Sequence, residues 1–149
     1  MRAGEIATPY PVVALTTPAV EAARLIAEEN LPGLIVVDER GRPRTILPGT
    51  QVLRMAVPGY IQEDPTLGRV IDESAADVFL RGLGDRTVAE ALPREKRELP
   101  VVNRKATVLE IAALMARARS PLVAVVDDAG ELIGAVTLDA LLELTLPPS

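Results

Sequence analysis

The segment Ser120-Pro-Leu-Val-Ala-Val-Val-Asp-Asp-Ala-Gly-Glu-Leu-Ile-Gly-Ala-Val-Thr-Leu-Asp-Ala-Leu-Leu142 holds two apolar runs of strand length, split by an acidic glycine turn. Leu122 to Val126 reads as a buried strand, Asp127-Asp128-Ala129-Gly130 as the turn, and Leu132 to Val136 as the returning strand. A helix then opens near Leu138. The carboxylates of Asp127 and Asp128 read as turn formers, since no further ligands stand at metal-binding spacing.

The same pattern occurs a second time upstream. At a constant offset of 89 and without a gap, Pro32, Val36, Val37, Asp38, Gly41 and Leu53 match Pro121, Val125, Val126, Asp127, Gly130 and Leu142. The register holds further back, where Pro11, Val12, Val13, Glu21, Ala23, Leu25 and Ala27 match Pro100, Val101, Val102, Glu110, Ala112, Leu114 and Ala116. Each copy therefore predicts a helix before its hairpin, Pro18 to Asn30 and Thr107 to Arg119. Apolar residues recur at i, i+3, i+4 and i+7 in both, as Ala19, Ala22, Ala23, Ile26 and as Val108, Ile111, Ala112, Met115. In the first copy the strands are Leu34 to Val37 and Arg44 to Leu47, and a last helix begins near Gly49. Short leading helices recur as well, Ala3-Gly4-Glu5-Ile6 and Val88-Ala89-Glu90-Ala91, at an offset of 85. Helix, hairpin, helix, twice, gives an α+β chain divided as 1–56 and 85–149 around a different middle, 57–84.

That middle reads as a helical connector. Asp64-Pro65 opens one short helix to about Ile71, and Ser74 caps another to about Leu83. The spacing of Leu67, Val70, Ile71 and of Ala75, Val78, Phe79 predicts one buried face, with the chain's single phenylalanine in it.

Composition narrows the function. The 149 residues are 48% hydrophobic and 25% charged, as in an ordinary soluble domain. Cysteine and histidine are both absent, which removes disulfides, thiol chemistry, structural zinc and the imidazole base. Acids, hydroxyls and two lysines remain, and no base–nucleophile spacing emerges among them, so no enzyme is expected. Only 2% of residues are aromatic, too few for base-stacking platforms, and the net charge of -5 opposes binding to nucleic acid. No apolar run approaches the roughly 20 residues of a membrane span. The start, Met1-Arg2-Ala3-Gly4-Glu5, has no apolar signal core, so a cytoplasmic location is expected.

The charge is uneven. Residues 94–119 carry seven basic and three acidic side chains, and 120–149 none and five. The basic stretch (Arg94, Lys96, Arg97, Arg104, Lys105, Arg117, Arg119) reads as a solvated linker and helix face, or as an attractor for an anionic partner.

The repeated unit, and the segment Ser120–Leu142 above all, resembles the cystathionine-beta-synthase (CBS) domain, and the tandem pair resembles a Bateman module. The resemblance implies two pseudosymmetric repeats packed sheet to sheet, often assembled as a dimer. It also implies clefts for adenosine-containing ligands such as AMP, ADP, ATP, S-adenosylmethionine or NAD, and regulation of an associated protein; the ligand spacing at Asp127 and Asp128 leads us to expect no metal. With nothing attached to the pair, that action would be in trans.

In the family a cleft carries the pattern Gly-hydrophobic-x-Thr/Ser-x-x-Asp, whose hydroxyl at a helix N-terminus suits phosphate and whose carboxylate suits a ribose diol. The second copy offers Gly134-Ala135-Val136-Thr137-Leu138-Asp139-Ala140: Gly134 and Thr137 fit, Ala140 stands at the ribose position, and Asp139 comes one residue early. The first copy departs further, with Pro48 in place of the hydroxyl and Gln51 in place of the acid. Thr107 matches a position that often lines the same cleft. The candidate ligand residues are thus Thr107, Gly134, Thr137, Asp139 and Gln51. Each has a plainer reading: Thr107 and Thr137 as N-caps, Asp139 as a favourable charge at a helix start, Gln51 as a surface amide, and Thr50 as the cap of the first copy's last helix. Two functions follow, a sensor of an adenosine ligand or a degenerate pair serving as a dimerisation and interaction module. The Ala-rich helix surfaces (Ala19, Ala22, Ala23; Ala112, Ala113, Ala116) are the expected homodimer contact.

Overall fold

A computed structural model describes residues 1–95 and 98–148. The first sequence copy folds as α1 (Ala3–Ile6), β1 (Val12–Ala14), α2 (Ala19–Glu29), β2 (Gly33–Val37), β3 (Pro43–Pro48) and α3 (Gly49–Ala56). The middle adds α4 (Gly59–Glu63), a 3-10 turn (Pro65–Arg69) and α5 (Ala75–Leu83). The second copy repeats the first: α6 (Val88–Ala91), β4 (Val101–Asn103), α7 (Val108–Ala118), β5 (Leu122–Val126), β6 (Leu132–Thr137) and α8 (Leu138–Thr145). Two three-stranded sheets result, ordered β1-β2-β3 and β4-β5-β6. β4 runs parallel to β5, and β5 antiparallel to β6 with Val123 opposite Val136 and Ala124 opposite Ala135.

The repeat extends to backbone detail. Asn30 and Arg119, equivalent at the offset of 89, end α2 and α7 in the left-handed conformation (φ 53° and 52°), which turns the chain sharply into the following strand. Gly41 and Gly130 close the two hairpins at φ 78° and 84°, a conformation in which a side chain would be strained. Asp38 Oδ1 accepts from the N–H groups of Arg40 and Arg42 at 2.9 and 3.0 Å, and Asp127 Oδ1 from those of Ala129 and Glu131 at 2.9 and 3.0 Å. Both acids thus act as turn formers.

The chain separates into two compact units, each drawing on both copies. The first comprises Met1–Val12, Ile35–Ile46 and the chain from Glu98 onward. Its core gathers Ala3, Val102, Ile111, Met115, Val123, Val136 and Leu141, all almost wholly buried. Ile35 and Ile46 of one sheet pack with Leu122, Ala124 and Ala135 of the other, so the sheet-to-sheet packing is a contact of aliphatic side chains within this unit. The leading helix α1 is pinned here: Ala3 N–H donates to Ala106 O and Gly4 N–H to Arg104 O, each at 2.8 Å, while Thr8 and Ala135 exchange both backbone bonds at 3.0 and 2.9 Å.

The second unit, Val13–Leu34 and Leu47–Glu95, holds the equivalent arrangement with the copies reversed. The leading helix of the second copy, α6, joins the helices of the first: Val88 N–H donates to Thr17 O at 2.8 Å, Ala89 N–H to Leu15 O at 2.9 Å, and Ala19 N–H to Arg86 O at 2.8 Å. Leading helices four residues long cannot stand alone, and each survives because its backbone groups pair within a unit built largely from the other copy.

Two expectations need correction. The middle is helical, but its apolar face is not the one predicted: Phe79 is 37% exposed, Val70 77% and Leu67 36%. The reason is Gly82, where an added Cβ would overlap the backbone of Ala56. That close approach seats α5 on α3 along Val78, Gly82 and Leu83 and leaves Phe79 at the edge. A further helix, α4, comes before Asp64. The Ala stripe of α2 is likewise partly core, since Ala19 and Ala22 are buried and offer nothing to a partner.

Candidate functional site

The second-copy motif runs from the end of β6 into α8. Gly134 lies opposite Val125 in the sheet and beside the strand-like segment at Thr8, where an added Cβ would stand 2.5 Å from Thr8 O. Glycine here has a steric cause: only a bare Cα lets Thr8 pair with Ala135 on the outer edge of β6. Gly134 also lines a pocket of about 310 Å³ with Pro9, Tyr10, Val12, Val37 and Ile133.

Three residues on, Thr137 adopts an extended backbone (φ -89°, ψ 158°) as the N-cap of α8, and its Oγ1 accepts from Ala140 N–H at 3.2 Å. Leu138 N–H donates to Pro121 O at 2.9 Å, tying the helix start to the entry of β5. Asp139 is exposed in the first turn, and Ala140 is half-buried. Thr107 caps α7 in the same manner, its Oγ1 accepting from Glu110 N–H at 3.1 Å, and it bridges to Arg2. Thr107, Gly134, Thr137 and Asp139 belong to the first unit and Gln51 to the second, where its Nε2 donates to Ala91 O at 3.0 Å. The amide of Gln51 therefore holds the C-terminal end of α6.

The cap expected of Thr50 is absent. α3 begins at Pro48 without a side-chain cap bond, so Thr50 falls inside the helix and is exposed. Proline brings the required φ of -67° with no hydroxyl.

Charge near these helices is arranged by neighbours. Asn103 Nδ2 donates to Asp128 Oδ1 at 3.0 Å, and this bond, with the charges of Arg104 and Lys105, holds the Asp128 carboxyl below its ordinary pKa. Of the basic stretch, Arg104 stands 3.9 Å from Asp128, Arg94, Lys105, Arg117 and Arg119 are exposed, and Lys96 and Arg97 lie outside the described residues. α7 and α8 enclose an apolar groove of about 510 Å³ lined by Ala112, Met115, Ala116, Leu138, Leu141 and Leu142, which the reading of the sequence did not single out. The signal for it was present, as Leu138 and Leu142 stand at i and i+4 of α8. Among the described residues no helix is long and apolar enough to cross a membrane.

Comparison with known proteins agrees with this geometry. The family model of the CBS domain matches residues 3–48 and 88–146. The chain is similar to a CBS domain-containing protein of unknown function from Kribbella flavida, at 52% identity over 99% of both chains with a TM-score of 0.90. The fold is also that of the CBS domain of a CBS domain-containing membrane protein from Sphaerobacter thermophilus, with 24% identity, 98% and 88% of the two chains covered and a TM-score of 0.72. It is shared by CBSX2 in complex with AMP, with 20% identity, 96% and 94% covered and a TM-score of 0.66. No curated protein matches the sequence. Two matched segments joined by the helical connector make this chain a tandem pair of the CBS domain family.

Proposed function

We propose that this CBS pair is a regulatory interaction module with no catalysis of its own, a homodimer joined through α7 and α8 that acts on a partner protein in trans. The observation that carries this reading is the α7–α8 groove. Leu138 and Leu142 are each 42% exposed beside it, so a large aliphatic surface faces water in the single chain. Its flanks are of opposite sign: α7 ends in exposed Arg117 and Arg119, and α8 carries exposed Asp139 and Glu143. A two-fold axis sets residue i against j and j against i, so a face with one basic and one acidic border complements a second copy of itself. Light scattering should give about twice the chain mass of 15.9 kDa. Leu142→Glu, which buries a charge in that contact, should return the protein to a monomer; a wild type that is already monomeric overturns the reading.

The alternative function, sensing of an adenosine-containing ligand, has one observation in its favour. The pocket beside Gly134 presents Tyr10, Val12, Val37 and Ile133, apolar walls suited to a flat base, and CBSX2 carries AMP on the same fold. In this reading Thr137 and Thr107 supply hydroxyls to phosphate, with Asp139 as a lesser contact, and Gln51 would serve only the first copy's cleft, where its amide is engaged with Ala91. The chemistry at α8 weighs against tight binding: the ribose position is Ala140, and Asp139 would repel phosphate. A thermal-shift series with AMP, ADP, ATP, S-adenosylmethionine and NAD decides, because a ligand at 100 times its dissociation constant adds about 2.7 kcal/mol. Unchanged melting with all five leaves the interaction module alone.

A further inference from the structure

The connector and the C-terminal end of α3 enclose a further cavity, wholly inside the second unit and beginning at Arg54, three residues beyond Gln51. It measures about 390 Å³ and is bounded by the C-terminal end of α3, by α4 and by α5. The charged residues of its lining are three arginines, Arg54, Arg81 and Arg86, against one acid, Glu73. The imbalance is opposite to that of the chain around it, because residues 55–93 carry three basic and seven acidic side chains. Two of those three arginines face the cavity, and one of the seven acids does. Glu73 is committed to Arg81, with Nη1 to Oε1 and Oε2 at 3.3 and 3.1 Å. Among the described residues Arg54 and Arg86 have no ion-pair partner. We infer that this cavity is a binding site for a small organic anion, a phosphate or carboxylate group held by Arg54 and Arg86 with an apolar body against Ile61, Ile71 and Val78.

Its walls are held in place by the connector's own bonds. Carbonyl groups at the end of α3 would repel an anion, but Gln62 Nε2 donates to Arg54 O at 2.8 Å and Val57 O at 2.6 Å, which neutralises two of them and ties α4 to α3. Gly82 against Ala56 fixes the opposite wall, and Ser74 Oγ, accepting from Asp77 N–H at 3.2 Å, starts α5. Two arginines without an ion pair lining one concave surface favour positive potential there, and a fork of N–H donors fits phosphate or carboxylate oxygens in pairs. The volume suits a ligand of metabolite size.

Phenyl phosphate, benzoate and inorganic phosphate serve as probes, followed by amide chemical shifts of the full chain and by calorimetry. Phenyl phosphate or benzoate should shift the amides of Gly59, Tyr60 and Gly82 and bind more tightly than inorganic phosphate; whichever binds better tells the phosphate source from the carboxylate one. R54Q/R86Q should weaken binding roughly tenfold or more. Each single substitution serves if the double variant melts early. R69Q, on the same connector but outside the cavity, should leave affinity unchanged. The proposal falls if none of the probes shifts these amides, if R54Q/R86Q binds as the wild type does, or if R69Q costs as much.

Discussion

α3 and α8 start from the same backbone and different side chains. Gly49 N–H donates to Pro32 O at 3.0 Å, and at the equivalent place Leu138 N–H donates to Pro121 O at 2.9 Å. The first helix is entered through Pro48 with no cap, the second through Thr137 with a hydroxyl on Ala140 N–H. The difference extends into the strand before it, where buried Thr45 occupies the position of Gly134. A repeat thus keeps its register through backbone bonds and β-pairing, which many sequences satisfy, while the groups able to meet a ligand diverge. The contrast also shows why a motif match in one copy is no guide to the other.

The largest effect that would break this comparison lies at Gly134. Gly134→Ala places a methyl group 2.5 Å from Thr8 O, against backbone that cannot swing aside without breaking the Thr8–Ala135 pairing. A loss of about 3 kcal/mol is expected, the upper part of the range for overpacking. A denaturant midpoint equal to that of the wild type would show that the pairing at Thr8 is dispensable.

Next in size is Ala140→Asp, which gives the second copy the acid that the family pattern has at that position. A carboxylate accepting from ribose hydroxyls adds roughly 1.5 to 3 kcal/mol at best, or about one to two decades of affinity for an adenosine ligand. Calorimetry with AMP on both proteins measures it. A variant as blind to AMP as the wild type would mean that the pocket does not admit the nucleoside, and the two helix starts would then differ in capping alone.

Thr137→Val sharpens the capping half of the comparison. It removes the oxygen that accepts from Ala140 N–H and makes α8 begin as α3 does, with no side-chain cap. The cost should be about 1 kcal/mol, read as a shift in denaturant midpoint with unchanged slope. If AMP binds the wild type, its affinity should fall with this substitution by more than the stability change explains.

Most of the fold was legible because the two copies check each other. Helix, strand and turn signals that are ambiguous once become firm when they recur 89 residues later, and Asn30 with Arg119, or Gly41 with Gly130, fall at matching backbone conformations. The pairing of α1 with the second copy and α6 with the first was not legible, since the bonds are between backbone groups, as at Ala3 to Ala106 and Val88 to Thr17, and leave no side-chain pattern. Phe79 was misplaced for a related reason: hydrophobic spacing located an apolar face on α5, but the close approach at Gly82 decided which part of it is buried. At the candidate site the caps of Thr107 and Thr137 followed from residue type and position. The bond from Gln51 to Ala91, 40 residues apart, did not. The arginines of the cavity were hidden by their spread along the chain, Arg54 near the end of the first copy, Arg81 in the connector and Arg86 at the start of the second copy, among seven acids of which only Glu73 joins them.

The smallest expected effect concerns the first hairpin turn, and its sign follows from the protonation equilibrium of Asp38. The N–H of Arg42 donating to its Oδ1 is the main cause that holds the carboxyl below the ordinary value of 3.8, with the N–H of Arg40 and the charge of Arg44, 3.9 Å away, adding to it. A group whose pKa is lower when folded stabilises the fold above its unfolded pKa, and that contribution disappears as pH falls through the folded value. Asp38→Asn keeps an oxygen for the two N–H bonds but loses the charge. The variant should therefore melt slightly below the wild type at neutral pH, and the gap should close as pH drops below 3.8. Because the carboxyl is partly open to solvent, added salt should narrow the gap as well. A gap that stays constant with pH would mean that amide geometry, not charge, is what the turn lost, and the first hairpin would then owe nothing to the ionised form of its aspartate.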